Sequence, residues 1–241
     1  MEDERVNNLA NIKFVYDKHS LINNERIEEI IEKRIPFKVR CFVTTDGKVV
    51  ITNEEILDKM KQRFKKLNFD KFAFSDYMSL NLFTTEDFIF LSDLFKVLKD
   101  SSLCMVELMN TGKRMTGAAT VGNLILTNGV NALVSSECDK NIKYLAKKFP
   151  NIRRGIKFAS LDTDEKIKGK IKKKVNKVKF SKAANPDFIE FDINTLPNEI
   201  LDNKRAEGML IISSVINTDA KLNKAKVYSD SFVLGRRYME E

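Results

Sequence analysis

The sequence predicts a soluble α+β protein with a helix-rich N-terminal part carrying one β-hairpin and a mainly antiparallel, meander- or barrel-like β C-terminal part. Three observations predict it. Helical stripes dominate the first hundred or so residues, and short apolar pieces split by Thr-Gly, Gly-Asn and Asn-Gly follow. No apolar run approaches the ~20 residues that a membrane helix needs. The chain has 241 residues, 43% hydrophobic and 32% charged, enough to bury a core. The reading divides it into residues 1–101 and 102–241; no linker separates them, so the two regions can share one core.

In order along the chain, Asn23-Asn24 can cap a helix striped by Ile27, Ile30 and Ile31 and ended by Pro36. Phe37-Lys-Val-Arg-Cys-Phe-Val43 alternates apolar with basic residues, as a strand with one wet face does. Asp46-Gly47 is a two-residue turn, and Val49-Val50-Ile51 returns. Thr52-Asn53-Glu54-Glu55 caps a helix carrying Ile56, Met60, Phe64 and Leu67. Thr84-Thr85-Glu86-Asp87 caps another, with Phe88, Leu91, Leu94, Phe95 and Leu98 on its core face.

Beyond the boundary, strands are expected at 103–109, 116–121, 124–126 and 132–134. A helix from Cys138 to Phe149 stops at Pro150. Further strands are expected at 155–159, 167–171, 175–180, 188–193, 209–215 and 224–233.

Counting excludes several chemistries. The single histidine, His19, sits in a polar stretch near the N-terminus, so a Ser-His-Asp or Cys-His site has no well-placed imidazole. Zinc chemistry of the H-E-x-x-H kind is impossible within the chain. The three cysteines, Cys41, Cys104 and Cys138, are scattered and odd in number, without C-x-x-C spacing. They form no disulfide framework, and a reducing, cytoplasmic setting is expected. The opening MEDERVNNLANIK is acidic and polar, unlike a secretory signal. Thr111-Gly-Lys-Arg114 lacks the rest of a phosphate-binding loop, and Gly117-Ala-Ala-Thr-Val-Gly122 is not G-x-G-x-x-G. No metal, cofactor or catalytic residue is expected on these grounds. A pair of carboxylates with separated pKa values stays open, because any two of the 34 acidic residues could meet in space.

The charge is concentrated. Residues 140–182 hold 16 Lys/Arg and 3 Asp/Glu, whereas the rest of the chain holds 26 basic and 31 acidic residues. Lys166-Ile-Lys-Gly-Lys-Ile-Lys172 alternates like a strand, and Ile167, Ile171, Val175 and Val178 also fit a helix. Either geometry gives a lysine face. The expected function is therefore non-enzymatic binding of RNA or DNA through backbone phosphates. The expected contacts are Arg153, Arg154, Lys157, Lys166, Lys168, Lys170, Lys172, Lys173, Lys174, Lys177 and Lys179. Self-association, or an assembly role with an acidic protein partner, is the other use of such a face.

Two segments resemble known families. Arg153-Arg-Gly-Ile-Lys157, Asp192-Ile-Asn-Thr-Leu-Pro197 and the ending Ala225-Lys-Val with Phe232-Val-Leu-Gly235 resemble parts of a PilZ domain. The first departs from that family's R-x-x-x-R, and the second lacks its small residue and glycine. The resemblance implies a small barrel binding a cyclic dinucleotide through Arg153 and Arg154. Thr116-Gly-Ala-Ala-Thr-Val-Gly-Asn-Leu-Ile-Leu-Thr127 resembles the strand before the histidine of chymotrypsin-like proteases, but Gly129-Val130 fills the histidine slot, so no protease activity is implied.

Overall fold

The structure, a computed structural model, describes residues 9–16, 24–63, 71–79, 89–98, 102–109, 116–158 and 178–235. Strands β1 (Lys13–Val15), β2 (Phe37–Val43), β4 (Cys104–Leu108), β5 (Ala132–Ser136), β6 (Arg153–Lys157), β7 (Phe188–Asp192), β8 (Leu210–Ile216) and β9 (Ser231–Leu234) pair in parallel. The bridge between Val15 and Phe37 joins β1 to β2 and closes them into a barrel. Among the described strands only β3 (Val49–Thr52) is antiparallel, as the second arm of a hairpin on β2. Parallel neighbours need long crossovers, and helices supply most of them. These are α1 (Asn24–Glu32), α2 (Glu54–Arg63), α3 (Phe74–Met78), α4 (Leu91–Leu98), α5 (Thr116–Asn128), α6 (Asp139–Lys148), α7 (Glu199–Ala206) and α8 (Asp219–Tyr228).

The fold is thus a closed eight-stranded parallel barrel with surrounding helices, and the expected antiparallel C-terminal part is corrected. Two expected stretches of strand are replaced outright, while the strand expected at 167–171 and residues 175–177 of the one expected at 175–180 lie outside the described residues. Residues 116–121 and 124–126, expected as strands because they are short apolar pieces punctuated by Thr-Gly, Gly-Asn and Asn-Gly, lie in one helix, α5. Its buried residues Ala118, Val121, Gly122 and Ile125 form a helical stripe, and the Phe149 ring lies where a side chain at Gly122 would stand. The following Asn-Gly, a hairpin signal in sequence, ends α5 with Gly129 at φ 61°. Residues 224–233, expected as one strand, divide into the end of α8, a two-residue turn and most of β9. Only Ala225 is buried in α8, so that helix carries almost no apolar stripe to announce it.

Two layers of core hold the barrel. Outward residues such as Val39, Cys41, Val106, Val134 and Ile189 pack under the helices. Inward residues Phe14, Met105, Leu133, Phe188, Leu210 and Val233 fill the lower interior with Leu9. A third cluster, including Phe42, Val50, Met60, Phe74 and Tyr77, lies around the hairpin, α2 and α3. The lower end is tied to the N-terminal segment: the Ser231 hydroxyl donates to the Leu9 carbonyl and accepts from the Ile12 N–H at 3.2 Å. Among the described residues, no helix is long and apolar enough to cross a membrane.

Candidate active site

Strand alternation decides what enters the upper interior. In β2, Val39 and Cys41 pack outward, so Lys38 and Arg40 face inward. In β4, β5 and β7 the inward residues Met105, Leu133 and Phe188 are each followed two positions later by a polar residue: Glu107, Ser135 and Glu190. Lys157 ends β6, two residues after Gly155. The C-terminal ends of the parallel strands all open at one mouth, which is where barrels of this kind place their chemistry.

These side chains form one ion network. Lys38 Nζ lies 2.5 Å from Glu190 Oε1 and 2.6 Å from Glu107 Oε2. Glu107 Oε1 accepts from Arg40 Nε at 2.9 Å and from Lys157 Nζ at 2.6 Å. Arg40 NH1 continues to Glu54 Oε1 at 2.5 Å, where α2 begins. Asn53 caps that helix, its Oδ1 accepting the Ile56 N–H at 2.9 Å, and so fixes Glu54. The Tyr16 ring lies beside both cations, 5.4 Å from Lys38 Nζ and 5.9 Å from the Arg40 guanidinium carbon.

Burial and charge oppose each other here, and charge wins. Burial alone would raise the Glu107 pKa, but Arg40, Lys157 and Lys38 hold it well below the usual carboxylate range. Burial alone would lower those of Lys38 and Arg40; for Lys38 the carboxylates of Glu107 and Glu190 reverse the sign and raise it. For Arg40, Glu107, Tyr16 and Glu54 do the same. Burial pushes the Tyr16 phenol up, leaving it a neutral donor. The exposed Glu137, on the loop after β5, lies within electrostatic reach of Lys157, Glu107, Arg40 and Glu190. Desolvation by its neighbours raises its pKa, with Lys157 opposing and Glu107 reinforcing the shift.

At the network, Glu190 Oε2, Ser135 Oγ and the Tyr16 hydroxyl are buried with neither a hydrogen-bond nor an ion-pair partner among the described residues. Buried polar groups are ordinarily paired, so these are the positions a ligand or water would satisfy.

A divalent cation in a barrel mouth needs several oxygen or nitrogen ligands aimed at one point. The residues present do not fit one. Among the described residues no group of three or more His, Cys, Asp or Glu could hold a metal ion. The one position between two inward carboxylates is filled by the Lys38 ammonium. A depression of about 450 Å³ beside α2, lined by Glu54, Glu55, Asp58, Lys59 and Gln62, is mostly acidic and unsuited to an anion. The barrel mouth, with Arg40 and Lys157, is the better anion site.

Of the residues expected to bind nucleic acid that are described, only Lys157 enters this mouth. Arg154 is buried, donating to the carbonyls of Pro150 at 3.1 Å, Ile152 at 2.8 Å and Asn185 at 3.2 Å. Arg153 is half-buried at the start of β6, and Lys179 is exposed. Lys166, Lys168, Lys170, Lys172, Lys173, Lys174 and Lys177 lie outside the described residues, as does His19. The site residues missed in sequence are Lys38, Arg40, Glu54, Glu107, Glu137 and Glu190. For Lys38 and Arg40 the signal was the basic alternation of β2, whose polar face looks into the barrel rather than into water.

No protein-family model and no curated protein matches the sequence. Solved structures do match. A glycerophosphodiester phosphodiesterase from Thermotoga maritima superposes with a TM-score of 0.61 at 18% identity, over 93% of this chain and 94% of that one. One from Parabacteroides distasonis gives 0.64 at 11% identity, over 94% and 93%. An Oleispira antarctica phosphodiesterase, in complex with the product sn-glycerol-3-phosphate, gives 0.64 at 12% identity, over 95% and 94%. These likenesses show the fold. They overturn the expectation of a non-enzymatic nucleic-acid-binding protein and support neither the PilZ-like nor the assembly alternative: the region from Arg153 onward is not a separate small barrel but supplies β6 to β9 of this one. The chain has the barrel fold of the glycerophosphodiester phosphodiesterases it superposes on.

Proposed function

We propose that the chain hydrolyses a small phosphodiester of the glycerophosphodiester class at the C-terminal mouth of the barrel. The observation that carries the reading is the meeting of two partly accessible cations, Arg40 and Lys157, on the Glu107 carboxylate at that mouth, with the Glu137 carboxyl within electrostatic reach of both. The near full-length likeness to phosphodiesterases supports the choice of substrate class.

Arg40 offers five N–H donors and Lys157 three, more than the ion pairs with Glu54 and Glu107 occupy. Their remaining donors can hold the non-bridging oxygens of a phosphodiester and stabilise the charge that builds there during displacement. Water attacks phosphorus; its proton passes to the Glu54 carboxylate, which lies at the edge of the mouth. The bond from phosphorus to the leaving oxygen breaks, and the Glu137 carboxyl gives that oxygen its proton. The products are a phosphomonoester and an alcohol.

The test is incubation of the purified chain with glycerophosphodiesters, following release of glycerol phosphate, beside Arg40→Lys and Lys157→Met. Hydrolysis by the wild type, weakened about ten- to a hundredfold in kcat/KM in each variant, supports the reading, since each loses an anion contact of roughly 1.5–3 kcal/mol. No release from any small phosphodiester would overturn it.

A further inference from the structure

We propose that Lys38 is a resident cation standing where a divalent metal ion would bridge Glu107 and Glu190, so that this site works without one. The claim rests on the phosphodiesterase reading only for the reaction served; the cation site itself is a matter of geometry.

A cation inside a barrel wall needs carboxylates aimed at one point. Glu107 of β4 and Glu190 of β7 come from strands that are not neighbours, and both side chains are buried. Two such anions facing each other in a low-dielectric interior are strongly unfavourable unless a positive charge lies between them. The Lys38 ammonium supplies it, at 2.6 Å and 2.5 Å. Its four-carbon stem is anchored in β2, and its side chain is only 1% exposed, so solvent ions cannot displace it. Arg40 and Lys157 take the second oxygen of Glu107, closing that carboxylate to any further cation. Glu190 Oε2 is left open, and one carboxylate oxygen is too few to anchor Mg²⁺ or Ca²⁺, which take six or more oxygen ligands with waters included. In this arrangement Lys38 is a positioning residue: it fixes both carboxylates, and through Glu107 it fixes Arg40 and Lys157 at the mouth.

The test is Mn²⁺ binding followed by the electron paramagnetic resonance signal of the free ion, with melting temperature measured alongside. The wild type is expected to leave the free Mn²⁺ signal undiminished and its melting temperature unmoved by Mn²⁺, Mg²⁺, Ca²⁺ or a chelator. Lys38→Met removes the ammonium while keeping most of its volume. That variant is expected to melt lower, to take up one equivalent of Mn²⁺, and to regain melting temperature as Mn²⁺ rises. Stoichiometric Mn²⁺ uptake by the wild type overturns the proposal, and so does a folded Lys38→Met chain that takes up none. Should the variant not fold, the wild-type titration decides alone. Failure to hydrolyse phosphodiesters would remove the reaction and leave these binding results as they are.

Discussion

Lys38 and Glu190 stand 152 residues apart in the chain and meet at 2.5 Å inside the barrel, both side chains essentially inaccessible to solvent. A buried pair is poor evidence for net stability, but breaking one is costly, because the remaining charge has neither partner nor water. Lys38→Ala leaves Glu107 and Glu190 facing each other. Unfolding in urea at neutral pH is expected to show a loss of roughly 3–5 kcal/mol. A loss below about 1 kcal/mol, the range of a surface pair, would contradict the burial described.

The same network sets a pH window. Glu107 is held below its ordinary value of 4.5, so its contribution is complete above that value and is lost as pH falls through the lower folded pKa. Lys38 is held above its ordinary 10.5, so its contribution is complete below that value and is lost as pH rises through the higher folded one. Stability from this site is therefore expected to be flat between those two values and to fall beyond each. In Glu107→Gln the acid limb should shrink, as measured by melting temperature across pH.

Glu137 is expected to act in its protonated form. Activity should fall as pH rises through its folded pKa, which lies above the ordinary 4.5. Glu137→Gln should lower kcat about 10²- to 10⁴-fold for an alkyl leaving group and remove that alkaline limb. A p-nitrophenyl ester, whose leaving group needs no proton, should be affected far less. Equal losses on both substrates would rule Glu137 out as the acid.

Gly155 faces Phe188 inside the barrel, and a side chain at Gly155 would overlap the Phe188 ring. Gly155→Ala is expected to destabilise by roughly 1–3 kcal/mol through overpacking. Adding Phe188→Leu should return part of that loss, so that the two changes are non-additive in a denaturation cycle.

Arg153 and Arg154 are adjacent but unequal. Arg154→Ala leaves three carbonyls without a donor, and a loss of roughly 1–3 kcal/mol is expected. Arg153→Ala, at a half-buried position, should cost less. Chemical denaturation of both variants checks the order; a larger loss at Arg153 would reverse the assignment.

The sequence by itself determined the local devices. Asp46-Gly47 turns the hairpin with Gly47 at φ 79°, Asn53 caps α2, and the stripe of Ile142 and Leu145 makes α6. It also announced that β2 has one basic face. Tertiary structure decided what that face meets. Alternation along a strand separates polar from apolar residues, but it does not say whether the polar side looks at water or at carboxylates across a closed barrel. Lys38 and Arg40 read as wet because Glu107 and Glu190, their partners, lie far along the chain on strands that only closure brings opposite them. Parallel order was hidden for a related reason: strands buried on both faces lose the alternation that marks an edge or a hairpin, as in the wholly buried β4. The concentrated positive charge of residues 140–182 was a true feature of composition. Its described members serve different ends because burial and direction, not charge, set their roles: Arg154 ties the backbone beneath β6, and Lys157 enters the mouth.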